Sequence, residues 1–426
     1  MRRARGVAAV ALEFAAALAL ALLAGPRSAS AASLFSTDGL GETVGLASGR
    51  GRALGGVAAP LDDSLRVSLD NPALAASIHR VSISTLYLLE RRTSENDAAS
   101  ETFADGAFPF VAAAIPFPRG IVFSLGLLRE QNLLVNPLVR ARVESPSPYT
   151  LRFERNGDIF RVPVGLAVRP HPRVLVGWNY DAWFGTVEET RVVDFDAADV
   201  RDTRDRVFDD VDGGAMSAGV LVRPIDAVSV GFRYRGDETL AGEREITTAD
   251  GATATLPVAY RMPRSLSGGA TVAVRDRMLV AFEVRRDEWA GEEADAPPGG
   301  GFADATRIGG GIEFLPRAGE GAGSFLARRP WRIGFHRAEW GVRDVDGDRI
   351  REWFASGGTS FTMRGGAGGT AVVDLFVEYG RRGSRDDNGL EESVLRIGAG
   401  FAGGEPWRRP ERRGRRGAAK PPPENY

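Results

Sequence analysis

The chain has 426 residues with 53 glycines, 24 prolines and no recurring apolar stripe of helical period, a balance that favours many short strands and turns. A count of 54 Lys and Arg against 56 Asp and Glu gives a formal charge of −2, so no global field points to nucleic acid or to an acidic substrate. The absence of cysteine excludes disulfide frameworks, thiolate zinc sites and cysteine nucleophiles together.

Residues 1–32 read as a signal peptide. Met1-Arg2-Arg3-Ala4-Arg5 is a basic start, an apolar run follows, and Ala29-Ser30-Ala31 is a small-residue cleavage site, which places the cut near Ala31 or Ala32. Glu13 interrupts the run. The uninterrupted stretch from Phe14 is about a dozen residues, short of the roughly 20 that a spanning helix needs. No later stretch approaches that length, so a mature chain that spans a membrane must do so with strands.

Residues 33–78 are weakly periodic and rich in glycine (Gly39, Gly41, Gly45, Gly49, Gly51, Gly55 and Gly56). Within them Asn71-Pro72-Ala73-Leu74-Ala75-Ala76 predicts a short helix, with Asn71 as its cap and Pro72 at its first position. Two readings stand: an N-terminal extension on the surface, or a plug whose glycines let backbone pack tightly in a narrow lumen.

From about Arg80 the sequence alternates with period two. In 174–185, Val174, Val176, Trp178, Tyr180, Ala182 and Phe184 share one face, and Leu175, Gly177, Asn179, Asp181, Trp183 and Gly185 the other. The pattern recurs near 228, 278 and 371, and one face repeatedly carries charge. Fourteen strands are predicted, at about 80–92, 107–117, 120–131, 150–169, 174–186, 214–223, 227–237, 254–274, 278–289, 302–316, 330–340, 353–364, 370–382 and 391–403. The connectors alternate between short turns, such as Pro118-Arg119 and Pro170-His171-Pro172-Arg173, and long polar loops at about 93–105, 132–148, 187–212, 238–252, 291–300, 341–353 and 383–390. Short periplasmic turns and long outer loops are the mark of a transmembrane barrel, although one periplasmic connector, 318–329, is longer and Gly-rich. The fold class is therefore all-β, a transmembrane antiparallel barrel of about 14 strands over 79–407. Closure removes the edges that a lipid-exposed sheet cannot satisfy.

The lumen-facing positions predicted to carry charge are Arg233, Arg235, Glu283, Arg285, Arg332, His336, Asp374, Glu378 and Arg396. Both signs share one interior, so these groups must pair or stay hydrated. They form either a network that holds the plug or a polar conduit. Asp344-Val345-Asp346-Gly347-Asp348 alternates carboxylates, but Arg349 and Ala355 stand where a calcium loop needs its glycine and bidentate acid, and a hydrated acidic loop is the expectation. Gly309-Gly310-Gly311 lies within a strand and lacks the Lys and helix of a phosphate loop; close packing against neighbours or the plug is its expected role. His79, His171 and His336 lie far apart and outside any nucleophile or ligand motif, so no catalytic residue, metal or cofactor is expected. Residues 408–426, with six arginines, one lysine and three consecutive prolines, are expected to be a disordered basic tail.

Arg52-Ala53-Leu54-Gly55-Gly56-Val57-Ala58, the Asp62-Asp63 pair and Asn71-Pro72-Ala73-Leu74-Ala75 together resemble the N-terminal hatch of the FadL-type long-chain fatty-acid transporter superfamily of outer-membrane β-barrels, including its PorV-like branch. The strand count, the Arg-Pro turns and a Gly404-Glu405-Pro406-Trp407 ending fit the same resemblance. Leu74 replaces the family's glycine, and Trp407 is not terminal. The resemblance implies a hatch at 33–78, with Asn71, Pro72 and Ala73 as its motif, and passage of fatty-acid-like or hydrocarbon-like molecules past it. It also implies contact with outer-membrane lipid, a monomeric barrel and no enzymatic activity. The alternative is a PorV-like scaffold that docks envelope proteins without small-molecule transport.

Overall fold

A computed structural model describes residues 33–37, 40–45, 47–143, 148–196, 200–289, 301–316, 328–364 and 369–405. The signal peptide, Trp407, the basic tail and most of the 318–329 connector lie outside the described residues.

Eighteen strands form one sheet. The first, β1 (Glu42–Thr43), belongs to the N-terminal segment. Then follow β2 (Val81–Glu95), β3 (Ser100–Pro116), β4 (Ile121–Asn132), β5 (Val135–Val143), β6 (Tyr149–His171), β7 (Val174–Phe195), β8 (Thr203–Ile225) and β9 (Val228–Arg235). Next are β10 (Glu238–Thr247), β11 (Thr253–Met262), β12 (Arg264–Val274), β13 (Met278–Glu288) and β14 (Ala305–Phe314). The last are β15 (Trp331–Arg343), β16 (Arg349–Arg364), β17 (Thr370–Ser384) and β18 (Leu390–Glu405). Setting aside β1, β5 and the hairpin β10–β11 leaves fourteen antiparallel strands, and β18 pairs back onto β2 to close the ring.

Alternation sets the two faces. Val176, Trp178, Tyr180 and Phe184 on β7, Phe232 on β9, Phe282 on β13, and Leu375 and Val377 on β17 are exposed outward, whereas Asn179, Asp181, Arg233, Asp374 and Glu378 are buried inward. A soluble sandwich would reverse this arrangement. An outward apolar band around a closed ring is what a bilayer requires. Among the described residues no helix is long and apolar enough to cross a membrane.

The outer loops differ from expectation. β6, β7 and β8 run for 23, 22 and 23 residues, about twice what a tilted transmembrane strand needs. Most of 187–212, and parts of 132–148 and 238–252, are strand rather than loop, building an outer sheet from β5, β6, β7, β8, β10 and β11. Beyond the membrane neither face meets lipid, so apolar alternation fades while the ladder continues. The predicted strand 254–274 is interrupted at Pro263, which has no N–H for the ladder. The inner face of this outer sheet gathers Trp183, Val187, Val211, Leu240, Val258, Tyr260 and Met262 with Leu40 and Trp289 into one apolar cluster.

Candidate functional site

The described residues of 33–78 pack against the inner face of the ring. Ser48 caps a helical turn at Gly49–Arg52, and Asn71 caps the 3-10 turn Pro72–Ser77. The Asn71 side chain accepts from the Ala73 N–H at 3.1 Å. Its Nδ2 donates to the Ala59 carbonyl at 2.8 Å and to that of Val220 on β8 at 3.3 Å. One amide thus caps the turn and fastens it to the wall. The 3-10 turn is buried throughout, Pro72 and Ala73 included. Where the segment's backbone meets the wall, the wall offers glycine: Gly177 faces Pro72, Gly309 and Gly334 face Gly55, and Gly311 faces Leu54, each too close for a side chain.

Charge completes the attachment. Arg66 places both arms on Asp374 of β17 at 2.7 Å, Arg52 reaches Glu378 at 3.1 Å, and Arg50 reaches Glu313 of β14 at 2.6 Å. Asp70 pairs with Arg233 at 3.2 Å, and Asp62 pairs with Arg223. Glu283 accepts from the backbone N–H groups of Ala58 and Ala59 at 2.6 and 2.7 Å. Glu42 of β1 sits among Arg382, Arg396 and Arg92 at 2.7, 2.8 and 3.3 Å. Burial by itself would raise the Glu42 carboxyl, but these three guanidinium groups hold it well below the usual carboxylate range. Asp63 likewise is raised by burial, yet Arg66, Arg50 and two backbone N–H groups bring it to about 2.

The wall is not continuous. β3 pairs with β4 only from Phe110↔Leu128 to Pro116↔Val122, so its outer half, 100–109, has no partner strand on that side among the described residues. Two irregularities flank the separation. The β2–β3 register shifts where Pro109 lies, and the β4–β6 register shifts at Glu130. The vacated edge of β4 is taken by β1, through Glu42↔Asn132 and Thr43↔Gln131, with a further bond from the Val44 N–H to the Glu130 carbonyl at 2.9 Å. Gly41 leads into β1 with φ of 79°, pressed against the Asn132 carbonyl, a conformation and a clearance that suit glycine. A cavity of about 160 Å³ opens here. Its lining includes Leu88, Ala107, Pro109, Trp289 and Trp340, but also Glu42, Glu90, Arg92, Arg307, Arg382 and Arg396.

Below the outer sheet Glu130 turns inward to Arg161 and Arg235 at 3.0 and 2.7 Å, with Arg285 at 4.0 Å. Arg161 also holds Asp181 at 2.9 Å. The Arg161 and Arg235 guanidiniums both lie over the Trp183 ring, 5.7 and 5.1 Å from its centre.

Of the nine charged residues singled out in the sequence, Arg233, Arg235, Glu283, Arg332, His336, Asp374, Glu378 and Arg396 are buried and Arg285 is half-buried. Arg233, Glu283, Asp374, Glu378 and Arg396 touch the N-terminal segment directly. Arg332 reaches it through Glu313 at 2.6 Å, whereas Arg235 and Arg285 join the Glu130 group. His336 is buried and stacked on Phe354 at 5.1 Å. Sequence reasoning missed Glu130, Arg161, Glu42, Arg92 and Arg382; the one available signal is an acid or arginine at an inward position of an alternating strand. Asp344 accepts from the Asp346 and Asp348 N–H groups at 3.1 and 2.8 Å and from Asn388 at 2.6 Å, so its carboxylate shapes the loop. Among the described residues no three His, Cys, Asp or Glu side chains converge as metal ligands.

A closed fourteen-strand ring, a lipid-facing apolar band and an N-terminal segment packed against the inner wall define an outer-membrane β-barrel. The chain belongs to the BamG family, whose model matches residues 10–412. Solved structures of similar fold include the Ralstonia pickettii toluene transporter TbuX, at 16% identity and a TM-score of 0.58 over 86% of this chain and 99% of that one. A Pseudomonas aeruginosa FadL homologue is similar at 11% identity and a TM-score of 0.60, over 87% of this chain and 100% of the other. The P. putida toluene transporter TodX aligns at 13% identity and 0.53, over 87% and 99%. No curated protein matches the sequence.

Proposed function

We propose that this barrel is a non-enzymatic transporter that passes hydrophobic small molecules through the outer membrane, with residues 33–78 as its hatch. The observation that carries the reading is the replacement of β3 by β1 along the edge of β4. A two-residue strand covers the separation in the wall, and the cavity lies directly behind it. Release of β1 joins the cavity to the bilayer sideways, so an apolar solute that has crossed the outer apolar cluster leaves into lipid.

The chain has no cysteine, so Thr43→Cys with Gln131→Cys creates a single pair at facing positions, within disulfide reach of one another. Uptake of labelled toluene is measured across the lipopolysaccharide-bearing outer membrane of a host that makes the barrel. The oxidised pair lowers uptake about tenfold, a change worth about 1.4 kcal/mol, and dithiothreitol restores it. Unmodified barrel that gives no more uptake than the empty host sinks the transport reading; unaltered uptake by the oxidised pair sinks only the route past β1.

The charged lining of the cavity and the ion pairs around 33–78 favour a second reading, a PorV-like scaffold that docks envelope proteins. On that reading mild extraction recovers a stoichiometric protein partner and uptake stays at background.

A further inference from the structure

We propose that the periplasmic rim of the barrel binds the headgroups of anionic phospholipids in the inner leaflet of the outer membrane. Five of the six connections at this end carry or adjoin an exposed arginine: Arg119 between β3 and β4, Arg169 at the end of β6, Arg275 and Arg277 between β12 and β13, Arg328 before β15, and Arg364 at the end of β16. The sixth, between β8 and β9, adjoins Arg223, which turns inward to Asp62. None of the six exposed arginines makes an ion pair among the described residues. In the sequence of the described connections the acids are Asp226 and Asp276.

At the other end of the barrel several exposed arginines are matched, Arg152 with Asp194 at 2.8 Å, Arg351 with Glu339 at 3.2 Å and Arg381 with Glu391 at 3.3 Å, while Arg91, Arg201, Arg204 and Arg337 are exposed without an ion pair among the described residues. At the periplasmic end Arg173 in the β6–β7 turn is matched, with Asp226 at 3.8 Å, and the six arginines above are left without an acid among the described residues. Unmatched cations in a ring call for anions from outside the protein.

Their height selects the anion. Phe117 and Ile121 flank Arg119, and Val168, Val274 and Met363 directly precede Arg169, Arg275 and Arg364; all five are exposed apolar side chains of the lipid-facing band. The arginines thus stand where acyl chains give way to headgroups. There the aliphatic stem lies along apolar surface, the guanidinium reaches out, and its fork fits a phosphate with two parallel hydrogen bonds. An anionic leaflet attracts each such cation within a Debye length. Arg119 and Arg275 also sit at φ of 72° and 53°, in left-handed backbone where glycine would be less strained. Arginine holds these positions against the preference of the turn.

The test uses the full chain in nanodiscs of equal phosphatidylglycerol and phosphatidylcholine, with spin-labelled lipid reporting the motionally restricted fraction. Unmodified barrel restricts phosphatidylglycerol about threefold more than phosphatidylcholine at low salt, and the preference falls toward one at about 0.5 M salt. Substitution of Arg119, Arg169, Arg275, Arg277 and Arg364 by serine removes it, whereas Arg152→Ser with Arg351→Ser at the outer end leaves it intact. Heat-dependent gel mobility reports folding; if the fivefold variant does not fold, Arg119→Gly and Arg275→Gly, which match the local φ, lower the preference singly. Equal restriction of the two lipids by the unmodified barrel overturns the proposal, as does a preference that survives the rim variants. Competition by inorganic phosphate beyond that of chloride at matched ionic strength also overturns it, since the rim would then be a site for the free ion.

Discussion

Arg66 and Asp374 lie 308 residues apart in sequence and meet through two hydrogen bonds of 2.7 Å inside the barrel. Asp63 holds the same guanidinium at 2.7 Å. Asp374→Asn removes a charge from a nearly buried pair, which costs on the order of 3 kcal/mol where the partner is left uncompensated. The expected result is faster amide exchange across residues 33–78 while the barrel strands keep their protection. Unchanged exchange in the segment would show that the pair does not hold it.

The carboxyl of Asp63, held at about 2, gives the attachment a pH dependence of definite sign. A folded-state pKa below the unfolded value, about 4 for aspartate, adds stability that is complete above that value and disappears as pH falls through about 2. Glu42 shifts in the same direction. Pepsin, active across this window, should leave 33–78 intact at about pH 4 and cut it increasingly toward about pH 2. Asp63→Asn should weaken the segment at pH 4 and flatten the dependence.

Gly177 of β7 admits no side chain, because a Cβ there would collide with the Pro72 backbone. Gly177→Val should cost about 1–3 kcal/mol of local packing and make Arg50, Arg52 and Arg66 accessible to trypsin, with heat-dependent gel mobility still reporting a closed barrel. Gly268→Ala, where the nearest atom is 3.7 Å from the added carbon, should be silent in both measurements.

Glu130 is the acceptor shared by Arg161 and Arg235. Glu130→Ala leaves buried cations facing one another, and urea unfolding in micelles should report a loss of about 3–5 kcal/mol. Adding Arg235→Met should recover part of it, since removing both partners spares the unpaired charge. A double variant no more stable than Glu130→Ala would place the cost elsewhere.

The two faces of β7, β9, β13 and β17 are legible in the sequence, because lipid on one side and a packed interior on the other impose strict alternation. The cap at Asn71 is legible for a local reason: one amide and the following proline suffice to start a turn. The outer sheet is not, since strands such as β8, with Asp205, Asp209, Asp210 and Asp212, stand in water where alternation has no apolar solvent to answer to. Nor are the pairs. Arg161 and Arg235 meet at Glu130 through the curvature of the ring, and no spacing along the chain reports it. The parting of β3 from β4 leaves only Pro109 as a trace, a residue without the N–H that a ladder uses.

The partners of residues 33–78 have a temporal consequence. Ser33 and Leu34 bond to Glu392, Arg52 to Glu378 and Arg66 to Asp374, so a segment that precedes every barrel strand in sequence is anchored by the two strands that follow all the others. Contacts of such sequence separation form late, because a long loop must close before they return any free energy. These contacts therefore require β17 and β18 to be in place, and until then the glycines and arginines that make them stay unplaced. Assembly and occupation of the barrel are separate events, and whatever meets the segment during that interval meets it before its own wall does.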